Sequence, residues 1–192
     1  MTNAITRRWP SMGKVFLVSV LLGAALVMAA AARQKYLEES ALDQVAPKHL
    51  VERIDVSTQL ELSAVSAVRR RYAKIIDLRP DGEVQGQPSS ADMAGAARRQ
   101  GLHFSYVPVP HGEIPEAAVT QLREALAHER GPVLLYCRSG KRAARTWALA
   151  EAGRPGGLQA DEIIAAVRAA GQEADDLRPR IEKAIAERGG AR

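Results

Sequence analysis

With 192 residues, the chain has room for one ordinary domain and an extension. Hydrophobic residues at 46% and charged residues at 26% give a globular composition, which excludes a disordered chain. The net charge of +5 is interleaved with acids and lacks basic–aromatic patterning, which argues against a nucleic-acid partner; a single cysteine excludes an internal disulfide or a thiolate metal cluster.

The first element is apolar. Val15 to Ala32 is a run of 18 uncharged residues, which as a helix spans about 27 Å against a bilayer core of roughly 30 Å. Arg7, Arg8 and Lys14 precede it, as suits a cytoplasmic amino terminus. The expected organisation is a cytoplasmic segment over 1–14, a transmembrane anchor over 15–32 and a linker over 33–48. A catalytic domain over 49–188 and a tail over 189–192 follow. A cleaved signal peptide is the alternative, because Ala29-Ala30-Ala31 offers small residues at a cleavage position. On either reading the domain lies outside the cytoplasm.

From His49 onward, short apolar runs alternate with helical patterns. Strands are expected at 54–57, 73–78, 104–107 and 133–136. Helices are expected at 58–71, 90–100, 115–128, 143–150, 160–170 and 177–188. Ser89 or Ser90 is placed to cap the second of these helices and Gly101 to end it. Such alternation implies a mainly parallel sheet flanked by helices, an α/β fold in which ligands bind beyond the carboxyl ends of the strands. Three loops gather at that edge: Arg79 to Glu83, Pro108 to Glu113, and the segment after Tyr136.

The last of these carries the chemistry. Cys137-Arg138-Ser139-Gly140-Lys141-Arg142 joins the most apolar strand to a helix. Unpaired N–H groups of such a turn, with the helix dipole behind them, favour an anion at one spot. A thiolate there is a nucleophile, and Arg142 adds a planar fork for an oxyanion. A buried structural cysteine at the end of a core strand is the plainer alternative. The four histidines, His49, His103, His111 and His128, have no metal-ligand spacing. Neither metal nor cofactor is expected.

Four motifs stand in order: Ile76-Asp77-Leu78-Arg79-Pro80-Asp81-Gly82-Glu83, the Cys137–Arg142 loop, Asp161-Glu162-Ile163-Ile164, and Leu177-Arg178-Pro179-Arg180-Ile181-Glu182. Together they resemble the bacterial beta-lactamase hydrolase-like phosphatases, relatives of the dual-specificity tyrosine phosphatases. The resemblance implies a tyrosine-phosphatase-like fold, Cys137 as nucleophile with a phosphocysteine intermediate, and Arg138, Ser139, Gly140, Lys141 and Arg142 as an anion loop. A general acid is then needed, with Glu113 the first candidate and Asp81 the alternative, beside Glu83 and His111. The departures are specific. Tyrosine phosphatases place histidine before the cysteine and arginine six residues after it, followed by a hydroxyl residue. Here Tyr136 precedes the cysteine, Arg142 lies five residues on, and Ala143 follows. That shorter loop is similar to the rhodaneses, which makes sulfur transfer through a Cys137 persulfide the alternative activity. A non-catalytic phospho-binding or redox-sensing module is the third reading. The partners expected are a phosphorylated or sulfane-sulfur substrate and a bacterial inner membrane, with the domain periplasmic. Oligomeric state is not legible.

Overall fold

A computed structural model describes residues 12–190, so the first eleven residues of the expected cytoplasmic segment and the last two of the tail lie outside the described residues. The chain divides into two units at Glu39 and Ser40. The described part of the first, from Met12 on, is helical and belongs to α1 (Met12–Val45). Its stretch Val15–Leu37 is long and apolar enough to cross a membrane, and none of it is buried within the protein. Phe16, Leu21, Leu26 and Met28 are all exposed. The helix runs past Ala32, where an end to the span was expected, because nothing between Arg33 and Val45 breaks it; Ala46, at φ 43, and Pro47 stop it.

The second unit is a five-stranded sheet in the order β1-β2-β5-β3-β4, covered by helices on both faces. Its strands are β1 (Lys48–Val51), β2 (Ile54–Ser57), β3 (Lys74–Asp77), β4 (His103–Tyr106) and β5 (Val133–Tyr136). All pairs are parallel except β1 with β2. The sequence expectation of a mainly parallel sheet therefore holds, with β1 as an added edge strand. Central β5 is buried at all four positions, which is why its sequence, Val-Leu-Leu-Tyr, does not alternate. Successive side chains enter opposite cores. Val133 and Leu135 pack with Trp147, Ile163 and Ile181, while Leu134 and Tyr136 pack with Leu60, Tyr72 and Met93.

The helices are α2 (Val65–Arg69), α3 (Ser90–Arg99), α4 (Glu116–Ala127), α5 (Lys141–Ala152), α6 (Ala160–Ala169) and α7 (Arg178–Gly190). Ser89 caps α3, its hydroxyl accepting from the Asp92 N–H at 3.1 Å. A reciprocal Gln159–Glu162 capping box opens α6. The expected helix over 58–71 is shorter. A 3₁₀ turn at Leu62–Ala64 leads into α2, and residues 58–61 remain outside any helix.

The register fixes where chemistry is possible. Ser57, Tyr136 and Asp77 stand opposite one another on adjacent strands, and Tyr106 stands opposite Asp77. The residues that follow them, Thr58, Cys137, Leu78 and Val107, leave the sheet together at its carboxyl edge.

Candidate active site

Cys137 is fully buried at the end of β5. The turn after it depends on Gly140, which takes φ 86 as the cap of α5. A Cβ there would meet Val56 Cγ2 at 3.1 Å and Gln172 Nε2 at 3.3 Å. Only glycine gives both that left-handed backbone and that close approach. Arg138, Ser139 and Lys141 are exposed around the turn. Behind them α5 presents its amino end to the loop, the orientation that favours an anion.

Arg142 lies in the first turn of α5 and reaches across to the loop after β3. Its Nη1 donates to Glu83 Oε1 at 2.6 Å and its Nη2 to Glu83 Oε2 at 2.8 Å. Nη1 also donates to the Val109 carbonyl at 2.7 Å. Glu83 takes a third charged bond, from Arg79 Nε at 2.9 Å. The bond from Arg142, then that from Arg79, outweigh partial burial and hold the Glu83 carboxyl at about 2. Glu83 is therefore an ionised clamp and is unsuited to donating a proton near neutrality. The Arg142 guanidinium is held charged above its ordinary range, first by Glu83 and further by the Cys137 side chain within its reach.

A second network supports the first. Arg79 Nη1 donates to Gln59 Oε1 at 2.7 Å, and the Gln59 N–H donates to the Arg138 carbonyl at 3.4 Å. Gln59 thus ties the Arg79–Glu83 pair to the loop that bears Cys137. Gln172 Nε2 donates to the Ser139 carbonyl at 3.3 Å from the other side. No local pattern marks Gln59 or Gln172. The Arg79–Glu83 pair did carry a signal, an acid four residues after an arginine in a loop of the active edge.

Asp77 is buried at the carboxyl end of β3. Burial pushes its carboxyl up to about 6, against a 2.8 Å bond from the Arg79 N–H. The Tyr136 hydroxyl beside it is buried without a regular hydrogen bond. That burial, with the Asp77 charge next to it, raises the phenol far above its usual range.

A cavity of about 860 Å³ opens over the loop. Of the acid candidates, Glu113 and His111 line it together with Arg138, Lys141 and Arg142. Asp81 does not. Its carboxylate receives the Ser90 N–H at 2.7 Å and the Ser90 hydroxyl at 2.6 Å, which fastens the loop to the start of α3. The structure thus brings Cys137, Arg142, the loop residues and Glu113 to one edge and commits Asp81 elsewhere. Among the described residues no group of three or more His, Cys, Asp or Glu could hold a metal ion.

A family model described as the phosphatase-like domain of beta-lactamase hydrolase-like protein matches residues 47–154. A beta-lactamase hydrolase-like protein of Xylella fastidiosa is 38% identical over 119 residues, which cover 58% of this chain. The chain spans only 27% of that relative's length. Among solved structures, a candidate phosphatase from Neisseria meningitidis Z2491 is 30% identical, with 71% of this chain and 96% of that one covered and a TM-score of 0.61. The active form of Tk-PTP shares the fold at 18% identity, with 74% of this chain and 97% of that one covered and a TM-score of 0.57. The family match contains β1 to α5, and with them Glu83, Glu113, Cys137 and Arg142.

Proposed function

The chain belongs to the beta-lactamase hydrolase-like family of phosphatase-like domains, and from that premise we propose a membrane-anchored, cysteine-dependent phosphatase acting on a phosphoester through Cys137. The observation that carries this reading is the buried Cys137 at the end of the central strand, with the Arg142 fork locked beside it by Glu83. The Cys137 thiolate attacks phosphorus in line, forming an S–P bond as the P–O bond to the leaving group breaks. Loop N–H groups and Arg142 stabilise charge on the phosphoryl oxygens. Glu113 gives its proton to the departing oxygen. Its carboxylate then takes a proton from the water that attacks the phosphocysteine, which returns Cys137 as thiolate and releases phosphate. The basic residues Arg7 and Arg8 ahead of the apolar run support a domain on the periplasmic side of a bacterial inner membrane.

One observation favours a second reading, sulfur transfer through a Cys137 persulfide. Arg142 lies only five residues beyond Cys137, and its two terminal nitrogens already serve Glu83 and the Val109 carbonyl. A cradle so short and so occupied suits one sulfur atom better than three oxygens. The deciding experiment assays the full chain in detergent for p-nitrophenyl phosphate hydrolysis and for thiosulfate-to-cyanide sulfur transfer, with and without Cys137→Ser. Cysteine-dependent phosphate release is the expected result. Thiocyanate formation without phosphate release would overturn it in favour of the persulfide.

A further inference from the structure

The cavity over the loop that follows Cys137 has walls of opposite charge. The loop supplies Arg138 and Lys141, both exposed, on one side. The segment before α7 supplies Glu173, Asp175 and Asp176 on the other.

That acidic wall is tied to the catalytic loop at two points. Gln172 donates to the Ser139 carbonyl, as described. Arg145, one turn beyond Arg142 on α5, donates to the Glu173 carbonyl at 3.0 Å and grips both Asp176 oxygens at 2.5 and 2.6 Å. The Arg145 bond holds the Asp176 carboxyl below its ordinary range, and Lys141 adds to the effect. Asp176 is thus spent on fixing the wall. Asp175 pairs with Arg168 at 3.0 Å, but both side chains are more than half exposed, so water leaves most of its charge available. Glu173 is exposed, and among the described residues its carboxylate has no ion-pair partner.

A substrate held by its phosphoryl group at Cys137 therefore projects toward fixed negative charge. A polyanion meets repulsion there, whereas a cation meets complementary charge. The opening, at about 860 Å³, admits side chains on both sides of a phosphorylated residue. Resting on the phosphatase reading, we infer that the substrate class is a phosphopeptide with lysine or arginine next to the phosphorylated residue. Glu173 and Asp175 receive that cation, and their charge discriminates against acidic or multiply phosphorylated chains.

The test measures kcat/KM of the full chain in detergent on two phosphotyrosine peptides that differ only in lysine or aspartate beside the phosphotyrosine. p-Nitrophenyl phosphate is assayed in parallel. Two carboxylates at ~6 Å from the flanking residue attract lysine and repel aspartate by about tenfold each, which gives a preference of up to about a hundredfold for the lysine peptide at low ionic strength. The preference should shrink in ~0.5 M salt as screening sets in, and should fall several-fold in the double variant Glu173→Gln, Asp175→Asn. Equal rates on the two peptides, or a preference for aspartate, would overturn the inference and leave the phosphatase reading standing. So would a lysine preference that neither salt nor the double variant moves; the salt series on the unaltered chain decides if the variant does not fold. Absence of Cys137-dependent phosphate release from all three substrates would instead sink the phosphatase reading, and this inference with it.

Discussion

Arg142 can offer a substrate only the contacts that Glu83 leaves it. The bidentate clamp fixes the guanidinium plane before any ligand arrives, so its orientation need not be established during the reaction. Glu83→Gln replaces two charge-assisted bonds with one amide contact and leaves Arg142 held mainly by the Val109 carbonyl. Charged hydrogen bonds are worth about 1.5–3 kcal/mol, so kcat/KM should fall roughly 10- to 100-fold, with partial recovery in Glu83→Asp. Steady-state kinetics on p-nitrophenyl phosphate checks this; unchanged kinetics would make the clamp a passive surface pair. Asp77 acts on stability instead. Its folded-state carboxyl lies at about 6, above the ordinary 3.8, so the folded state binds that proton more tightly than the unfolded chain does. The stabilisation is full below pH ~3.8 and is lost as pH rises through 6. Asp77→Asn keeps an oxygen for the Arg79 N–H and cannot ionise. Between pH 4 and 7 it should gain about 2–3 kcal/mol relative to the unaltered chain. Urea unfolding across that range measures the gain, and a flat difference would mean that Asp77 ionises as freely folded as unfolded. Glu83 titrates in the opposite sense and at lower pH, where its bonds fail as pH falls from 4.5 toward 2.

Elements differ in how openly the sequence announces them. β5 is legible to the residue because a strand buried on both faces needs an unbroken apolar run, and Val133 to Tyr136 supplies one. α3 is legible because Ser89 caps it and Gly101, at φ 65, follows its end. The helix expected over 58–71 illustrates the opposite. Leu60, Leu62, Val65 and Val68 read as the apolar positions of a helix, but Gln59 is drawn into long-range bonds, accepting from Arg79 and donating to the Arg138 carbonyl. Tertiary contacts thus override local propensity. The same limit hid the clamp: Glu83 and Arg142 are 59 positions apart, and no local pattern pairs them. Long-range anchoring also sets the sharpest prediction at this scale. Arg188 of α7 donates to the carbonyls of Glu151, Ala152, Arg154, Gly157 and Leu158, pinning α7 to the turn between α5 and α6. A Cβ on Gly157 would stand 2.4 Å from the Glu151 carbonyl oxygen and 2.7 Å from Arg188 Nη1. Gly157→Ala must shift that turn and loosen Arg188, at a cost of about 1–3 kcal/mol. A drop of several degrees in Tm is expected. An unchanged melting curve would show that the turn gives way freely.

At the scale of the whole molecule, the two units differ in what becomes of their apolar surface. The second builds its own two-sided core and needs nothing from the first to cover the sheet. Among the described residues, the first exposes a long row of large apolar side chains. Such a helix is unfavourable in water, since each large apolar side chain left exposed forfeits about 1.5–3 kcal/mol. In a bilayer the same surface is satisfied, and the backbone bonds within the helix satisfy its polar groups. The 23 residues of Val15–Leu37 extend about 35 Å, enough to cross with some tilt. Arg33 and Lys35 at its far end can carry their charges to the interface along flexible stems. A retained anchor therefore predicts that the full chain stays in the membrane pellet through alkaline carbonate washing. Intact-mass measurement should then find residues 15–37 still attached. Deletion of residues 1–37 should release a folded domain into the soluble fraction. A soluble product whose mass begins after Ala31 would instead identify the apolar helix as a signal sequence, with the domain released from the membrane.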